Sequence, residues 1–336
     1  MDEVTHATPI DVAEREPLGT RIINSYRDMA TKCIHSVPFW LSVAVLLLCA
    51  VYLATTGYGG ILPQLVYPFA INIILVLAAI PLTAGRAAAP WEARVSEQSE
   101  RTRIWFQLGL SLLCILIANY LVLGARNAVP LPTGMPIVGP FFASLQHSNG
   151  LGKGSGPAQS VIAISLVLQI VLPLVFVFLL GARWRYLGFC KGYRSLIMGL
   201  IGGATAIIIG LASLLLGKIG LLPLIVLFIQ SFLIAGLTEE LLFRGIFQTR
   251  LTRLFTPAWG IAISAFLFGL AHFGNFLPQL HFAVMATVSL VLLHNGFGGL
   301  VAGFIFWRTR NLLATTLMHG LNDAETPLHA LLHLPF

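Results

Sequence analysis

The sequence predicts an all-α, polytopic transmembrane helix bundle, and three observations lead there. Hydrophobic residues make up 57% of the 336-residue chain and charged residues only 10%, with a mean hydropathy of +0.86, a balance foreign to ordinary soluble domains. The apolar residues gather in runs of about 20, the length that crosses a bilayer as a helix. The basic residues gather in alternate connections between those runs.

The runs cover 37–57, 61–84, 104–125, 159–182, 195–217 and 221–249, followed by three less cleanly apolar ones at 258–273, 280–307 and 312–333. About eight spans are expected, with a further element that is split or re-entrant. Gly199, Gly202, Gly203 and Gly210 in the fifth run would weaken a soluble helix but suit close helix contact in lipid. Residues 1–36 read as a polar cytosolic tail without the charged, apolar and small-residue regions of a cleaved leader, so the first span is expected to be an uncleaved anchor. Residues 37–336 read as one transmembrane domain with no internal repeat. The 126–158 connection holds Pro130, Pro132, Gly134, Pro136 and Pro140, then Gly150, Gly152, Gly154 and Gly156; it reads as an outside linker, with a lid as the alternative.

Basic residues precede the first span (Arg21, Arg27, Lys32) and follow the second (Arg86, Arg94, Arg101, Arg103), the fourth (Arg183, Arg185, Lys191, Arg194), the sixth (Arg250, Arg253) and the eighth (Arg308, Arg310). The intervening connections carry almost none, which places the N-terminus in the cytosol; the expected setting is a bacterial cytoplasmic membrane. The net charge of +7 therefore reflects topology and contact with anionic lipid, and with no aromatic-basic interleaving it gives no sign of nucleic acid. The lipid bilayer is the first expected partner. Cys33, Cys49, Cys114 and Cys190 are scattered without a Cys-x-x-Cys, and neither a disulfide framework nor a thiolate metal site is expected.

Three segments of the C-terminal third carry chemistry: Glu239-Glu240-Leu241-Leu242-Phe243-Arg244, Phe268-Gly269-Leu270-Ala271-His272 and His319-Gly320-Leu321-Asn322-Asp323. Counted from Arg250, Pro257 and Arg310 at 1.5 Å per residue, Glu239 lies about 16 Å deep, His272 about 22 Å, His319 about 13 Å and Asp323 about 20 Å. Ionisable groups on three helices thus converge in depth, as a buried polar site requires, because each alone would be costly in hydrocarbon. Glu240 and Arg244 are four apart in the favourable order for a same-face ion pair. Glu239 is rotated about 100° from Glu240 on a helix, which frees it to face the bundle interior as the better catalytic candidate. The competing reading puts both glutamates at the cytosolic end of a span stopping near Thr238, although the apolar run continues through Phe247. His272 alone reads equally as a histidine satisfied by a backbone carbonyl. His319 and Asp323, also four apart, read as either a structural pair or part of a site. His294 is expected where a span breaks, and His329 and His333 at an interface.

Glu-Glu-x-x-x-Arg, Phe-x-x-x-His and His-x-x-x-Asx, in this order on separate helices, resemble the CPBP family of intramembrane endopeptidases, the CAAX-protease and bacteriocin-processing group. The likeness covers about 190–325, and the Gly298-Gly299-Leu300-Val301-Ala302-Gly303 to Trp307-Arg308-Thr309 stretch fits it as well. The resemblance implies a glutamate-type peptidase acting on a membrane-associated or peptide substrate, with no cofactor. Glu239 and His272 would activate water, Glu240 and Arg244 would hold their helix, and His319 with the Asx position would stabilise the oxyanion. Here that position is Asp323, with Asn322 one residue earlier; an ionised Asp323 would repel an oxyanion, so it is either protonated or orients His319.

Alternatives stay open. His and carboxylate side chains are Zn ligands, although there is no His-Glu-x-x-His signature and no Gly-x-Ser-Gly element of a rhomboid-like serine peptidase. A non-proteolytic membrane regulatory or immunity protein could retain the same polar core, and a transporter could use it as an ion relay. On topology alone the substrate is expected from the cytosolic side.

Overall fold

The computed structural model describes residues 17–84, 89–125, 129–136, 139, 140, 143 and 167–332. The stretch before residue 17, Arg86, the glycine-rich part of the 126–158 connection and His333 lie outside the described residues.

Among the described residues there is no strand, and the sequence folds as helices in the expected order. They are α1 (Leu18–Ile34), α2 (Val37–Thr55), α3 (Leu62–Leu82), α4 (Gln98–Ala125), α5 (Leu172–Leu179), α6 (Ser195–Gly202) and α7 (Ala204–Leu215). Then come α8 (Leu221–Leu254), α9 (Pro257–Ala271), α10 (Phe273–Phe276), α11 (Val284–Thr309) and α12 (Leu312–Leu332). Caps fit the termini: Ser36 accepts from the Phe39 amide and Thr256 from the Trp259 amide, each before a proline in the first turn.

Among the described residues six segments are long and apolar enough to cross a membrane, and a bent pair makes a seventh. Each of the nine apolar runs contains helix. The fourth is represented by the shorter apolar stretch Val167–Leu179. The last, α12, is 21 residues long but carries His319, Asn322, Asp323, Glu325 and His329 and is not among the six. The broken span is the fifth run: α6 and α7 meet at 60°. The cause is the Gly202-Gly203 pair, which lies against the side chains of Met318 and Leu321 with no room for a Cβ. His294 does not mark a break; it sits in a π-helical turn, Leu292–Gly296, inside α11. The helix bearing Glu239 runs on to Leu254, so the glutamates lie within the apolar segment and not at its end.

The arginine-bearing connections come together on one face. The Val95 amide donates to the Arg253 carbonyl at 3.0 Å and the Tyr193 amide to the Thr309 carbonyl at 2.8 Å. Arg253 pairs with Glu100 at 2.5 Å, Arg308 donates to Thr83 Oγ1 at 2.6 Å, and Trp91 stacks on Phe306 with ring centroids 4.9 Å apart. Among the described residues these connections thus form one cationic face. All four cysteines are free, and burial pushes the Cys190 thiol up from its ordinary value, in keeping with an unreactive residue.

Candidate active site

Glycines let the motif-bearing helices meet. A Cβ on Gly320 would lie 2.6 Å from Phe232 Cα, and one on Gly236 would lie 2.9 Å from the Gly320 amide nitrogen. Helices α8 and α12 thus touch backbone to backbone, which brings His319 over the Glu239-Glu240 turn. In the same way Gly269 and Gly299 leave no room for a Cβ between α9 and α11, and this close crossing holds the end of α9, where His272 stands.

Glu240 and Arg244 are enclosed, their side chains 0% and 2% exposed, with Arg244 Nη1 donating to Glu240 Oε1 at 2.7 Å. Arg244 Nη2 also donates to the Gly299 carbonyl at 3.2 Å, and the guanidinium lies 4.7 Å from the centre of the Phe268 ring. His319 Nδ1 is 2.9 Å from Glu240 Oε1. Its Nε2 is 3.7 Å from Asp323 Oδ1 and 3.8 Å from Glu239 Oε2. Both ring nitrogens thus face carboxylates.

His272 Nδ1 lies 2.9 Å from the Phe268 carbonyl; a carbonyl can only accept, so Nδ1 carries a proton and Nε2 is the nitrogen turned outward. That Nε2 is 3.6 Å from Glu239 Oε2. Glu239 Oε2 is buried and receives no hydrogen bond from the described residues. The Phe268 ring packs edge-on against both His272 and His319, so this one aromatic side chain fixes both imidazoles and the arginine. Glu239, Glu240, Arg244, His272, His319 and Asp323 are thereby brought together. Asn322 stands beside them on the wall of a cavity of about 950 Å³. Among the described residues no group of three or more His, Cys, Asp or Glu side chains is arranged to hold a metal ion.

The cavity touches Glu240, Arg244, Phe268, His319 and Asp323. Glu239 and His272 are not on its wall; Glu239 lies against His319 and His272 against Phe268, which are. Its far half contains residues outside the three motifs: Tyr67 Oη donates to Glu325 Oε1 at 3.2 Å, and His329 Nε2 lies 3.1 Å from the same oxygen. His329, expected at an interface, is thus half-buried and joined to Glu325, four residues earlier on one face of α12. That i,i+4 spacing was visible in the sequence; the meeting with Tyr67, 258 residues away, was not.

Fold and site together define a multi-pass membrane protein with a carboxylate-imidazole cluster enclosed by its helices. Residues 221–324 match the family model described as type II CAAX prenyl endopeptidase Rce1-like. The matched segment runs from the start of α8 into α12 and includes all three motifs, in agreement with the resemblance read from them. It supports a CAAX-type intramembrane protease in general, acting on a peptide or protein in a membrane setting. No curated protein and no solved structure matches the chain.

Proposed function

We propose that the chain is an intramembrane endopeptidase in which Glu239 and His272 activate a water molecule for attack on a peptide carbonyl. The observation that carries this reading is the 3.6 Å separation of Glu239 Oε2 and His272 Nε2, with the histidine tautomer set by the Phe268 carbonyl. Two acceptors so placed suit the two hydrogens of one water. Glu239 takes one proton as the water oxygen bonds to the carbonyl carbon and the C=O pair moves to oxygen. On collapse the C–N bond breaks and the proton passes from Glu239 to the leaving nitrogen, so proton and electron pair balance. His319, held through Nδ1 by Glu240, offers its Nε2–H to the developing oxyanion. Asp323, 3.7 Å from that nitrogen, orients the ring, and Asn322 on the cavity wall supplies the neutral donor that an ionised carboxylate cannot.

The test is proteolysis by protein reconstituted in lipid nanodiscs and supplied with a mixed peptide library. The wild type is expected to cleave defined bonds, and Glu239→Gln, which keeps the shape and loses the base, to be about 10²–10⁴-fold slower. Equal cleavage by the two would overturn the assignment.

A further inference from the structure

We propose that His294 and Asn295 form a substrate subsite beside His272, in which the Asn295 carboxamide holds the backbone of a bound polypeptide. The word substrate rests on the peptidase reading; the binding of a peptide backbone does not.

Helices α9 and α11 run antiparallel where they touch. A Cβ on Gly299 would lie 3.0 Å from Ala265 Cα, and one on Gly269 would lie 3.0 Å from the Gly296 amide nitrogen. Three residues beyond Gly269, His272 therefore stands at the level of the π-helical turn Leu292–Gly296. Turns of this kind are wider than the α-helix around them and recur at functional sites. This one presents His294 and Asn295 on the wall of the cavity that also touches Phe268 and His319. Phe268 in turn packs edge-on against His272, with ring centroids 4.8 Å apart. The turn thus adjoins the histidine assigned to water activation.

The Asn295 side chain is the observation that points to a ligand. Its Oδ1 is buried and accepts no hydrogen bond from the described residues. Such an orphan is costly in a folded protein, and an apolar residue here would avoid the cost. Because no bond holds that oxygen, turning it toward the cavity breaks none. A carboxamide is both donor and acceptor, so it matches one peptide unit, accepting from its N–H and donating to its C=O. Three residues further along α11, Gly298 is also on the wall, and a Cβ there would meet nothing within 4 Å. That open space leaves room for a chain lying across the turn. His294, exposed on the same wall with its ring edge-on to Phe276, offers a second polar group to the neighbouring unit.

Affinity selection tests the subsite apart from catalysis. Nanodiscs carrying Glu239→Gln protein are incubated with a library of short synthetic peptides, empty nanodiscs give the baseline, and retained peptides are read by mass spectrometry. A defined set is expected to be retained above baseline, and adding Asn295→Leu is expected to weaken its retention about tenfold, the upper end for a single net hydrogen bond. Methylating one backbone nitrogen of a retained peptide is expected to weaken it by a similar factor at a single position, with no further effect there once Asn295→Leu is present. Asn295→Leu is expected to unfold in SDS no earlier than its parent, because it removes an enclosed orphan; a merely structural asparagine would show a loss. Gly298→Leu, which fills the open space, is expected to abolish retention. Retention no greater than by empty discs, retention unchanged by either substitution, a methylation effect that persists with Asn295→Leu, or an Asn295→Leu protein less stable than its parent would overturn the proposal. The peptidase reading is decided separately, by whether Glu239→Gln slows cleavage.

Discussion

Replacing Arg244 by methionine tests whether the cluster is built on a buried ion pair. The change removes the 2.7 Å bond to Glu240, the 3.2 Å bond to the Gly299 carbonyl and the contact 4.7 Å above Phe268. It leaves a fully enclosed carboxylate, and breaking a buried pair from one side costs about 3–5 kcal/mol. Because His319 Nδ1 still lies 2.9 Å from Glu240 Oε1, the lower end applies. About 3 kcal/mol corresponds to roughly a hundredfold loss in the folding equilibrium, each 1.4 kcal/mol being tenfold. Adding Glu240→Gln removes the orphaned charge while keeping an acceptor for His319, and is expected to restore half or more of the loss. The assay is reversible unfolding in mixed micelles titrated with SDS, followed by tryptophan fluorescence, for the two single variants and the double variant. An Arg244→Met protein within about 1 kcal/mol of wild type would refute the reasoning, as would a double variant whose losses simply add.

Gly320→Ala drives a methyl group into the backbone of Phe232 and is expected to cost about 1–3 kcal/mol in the same titration, because backbone cannot give way as a side chain does. His272→Ala is expected to slow cleavage about 10²–10⁴-fold. It should change unfolding by no more than about 1.5 kcal/mol, the net worth of its one hydrogen bond; a purely structural histidine would show the opposite pattern. Prolonged dialysis against a Zn chelator is expected to leave cleavage unchanged, and loss restored by added Zn would show that a metal takes part.

Much of this architecture is legible in the residues because bilayer physics is severe. Apolar runs of about 20 residues mark the spans, and the alternation of arginines marks which connections share a face. The motif spacing also reads through: Glu240 and Arg244 at i,i+4 pair at 2.7 Å, and depth counting along three helices anticipates one cluster. What stays hidden depends on contacts between distant segments. Nothing local says that Gly202-Gly203 will bend, since the cause is the packing of Met318 and Leu321 against them. Hydropathy likewise cannot tell a π-turn from a break at His294, nor can it show that Tyr67 meets Glu325 across the cavity.

The most direct test of the central claim compares new protein N- and C-termini in membranes of cells expressing the wild type or Glu239→Gln at matched abundance. The account expects a defined set of termini present with the wild type and lost with Glu239→Gln, which would also identify the substrate. Identical profiles under conditions where the wild-type protein has a phenotype would contradict it and favour a regulatory membrane protein that keeps the cluster only as its polar core.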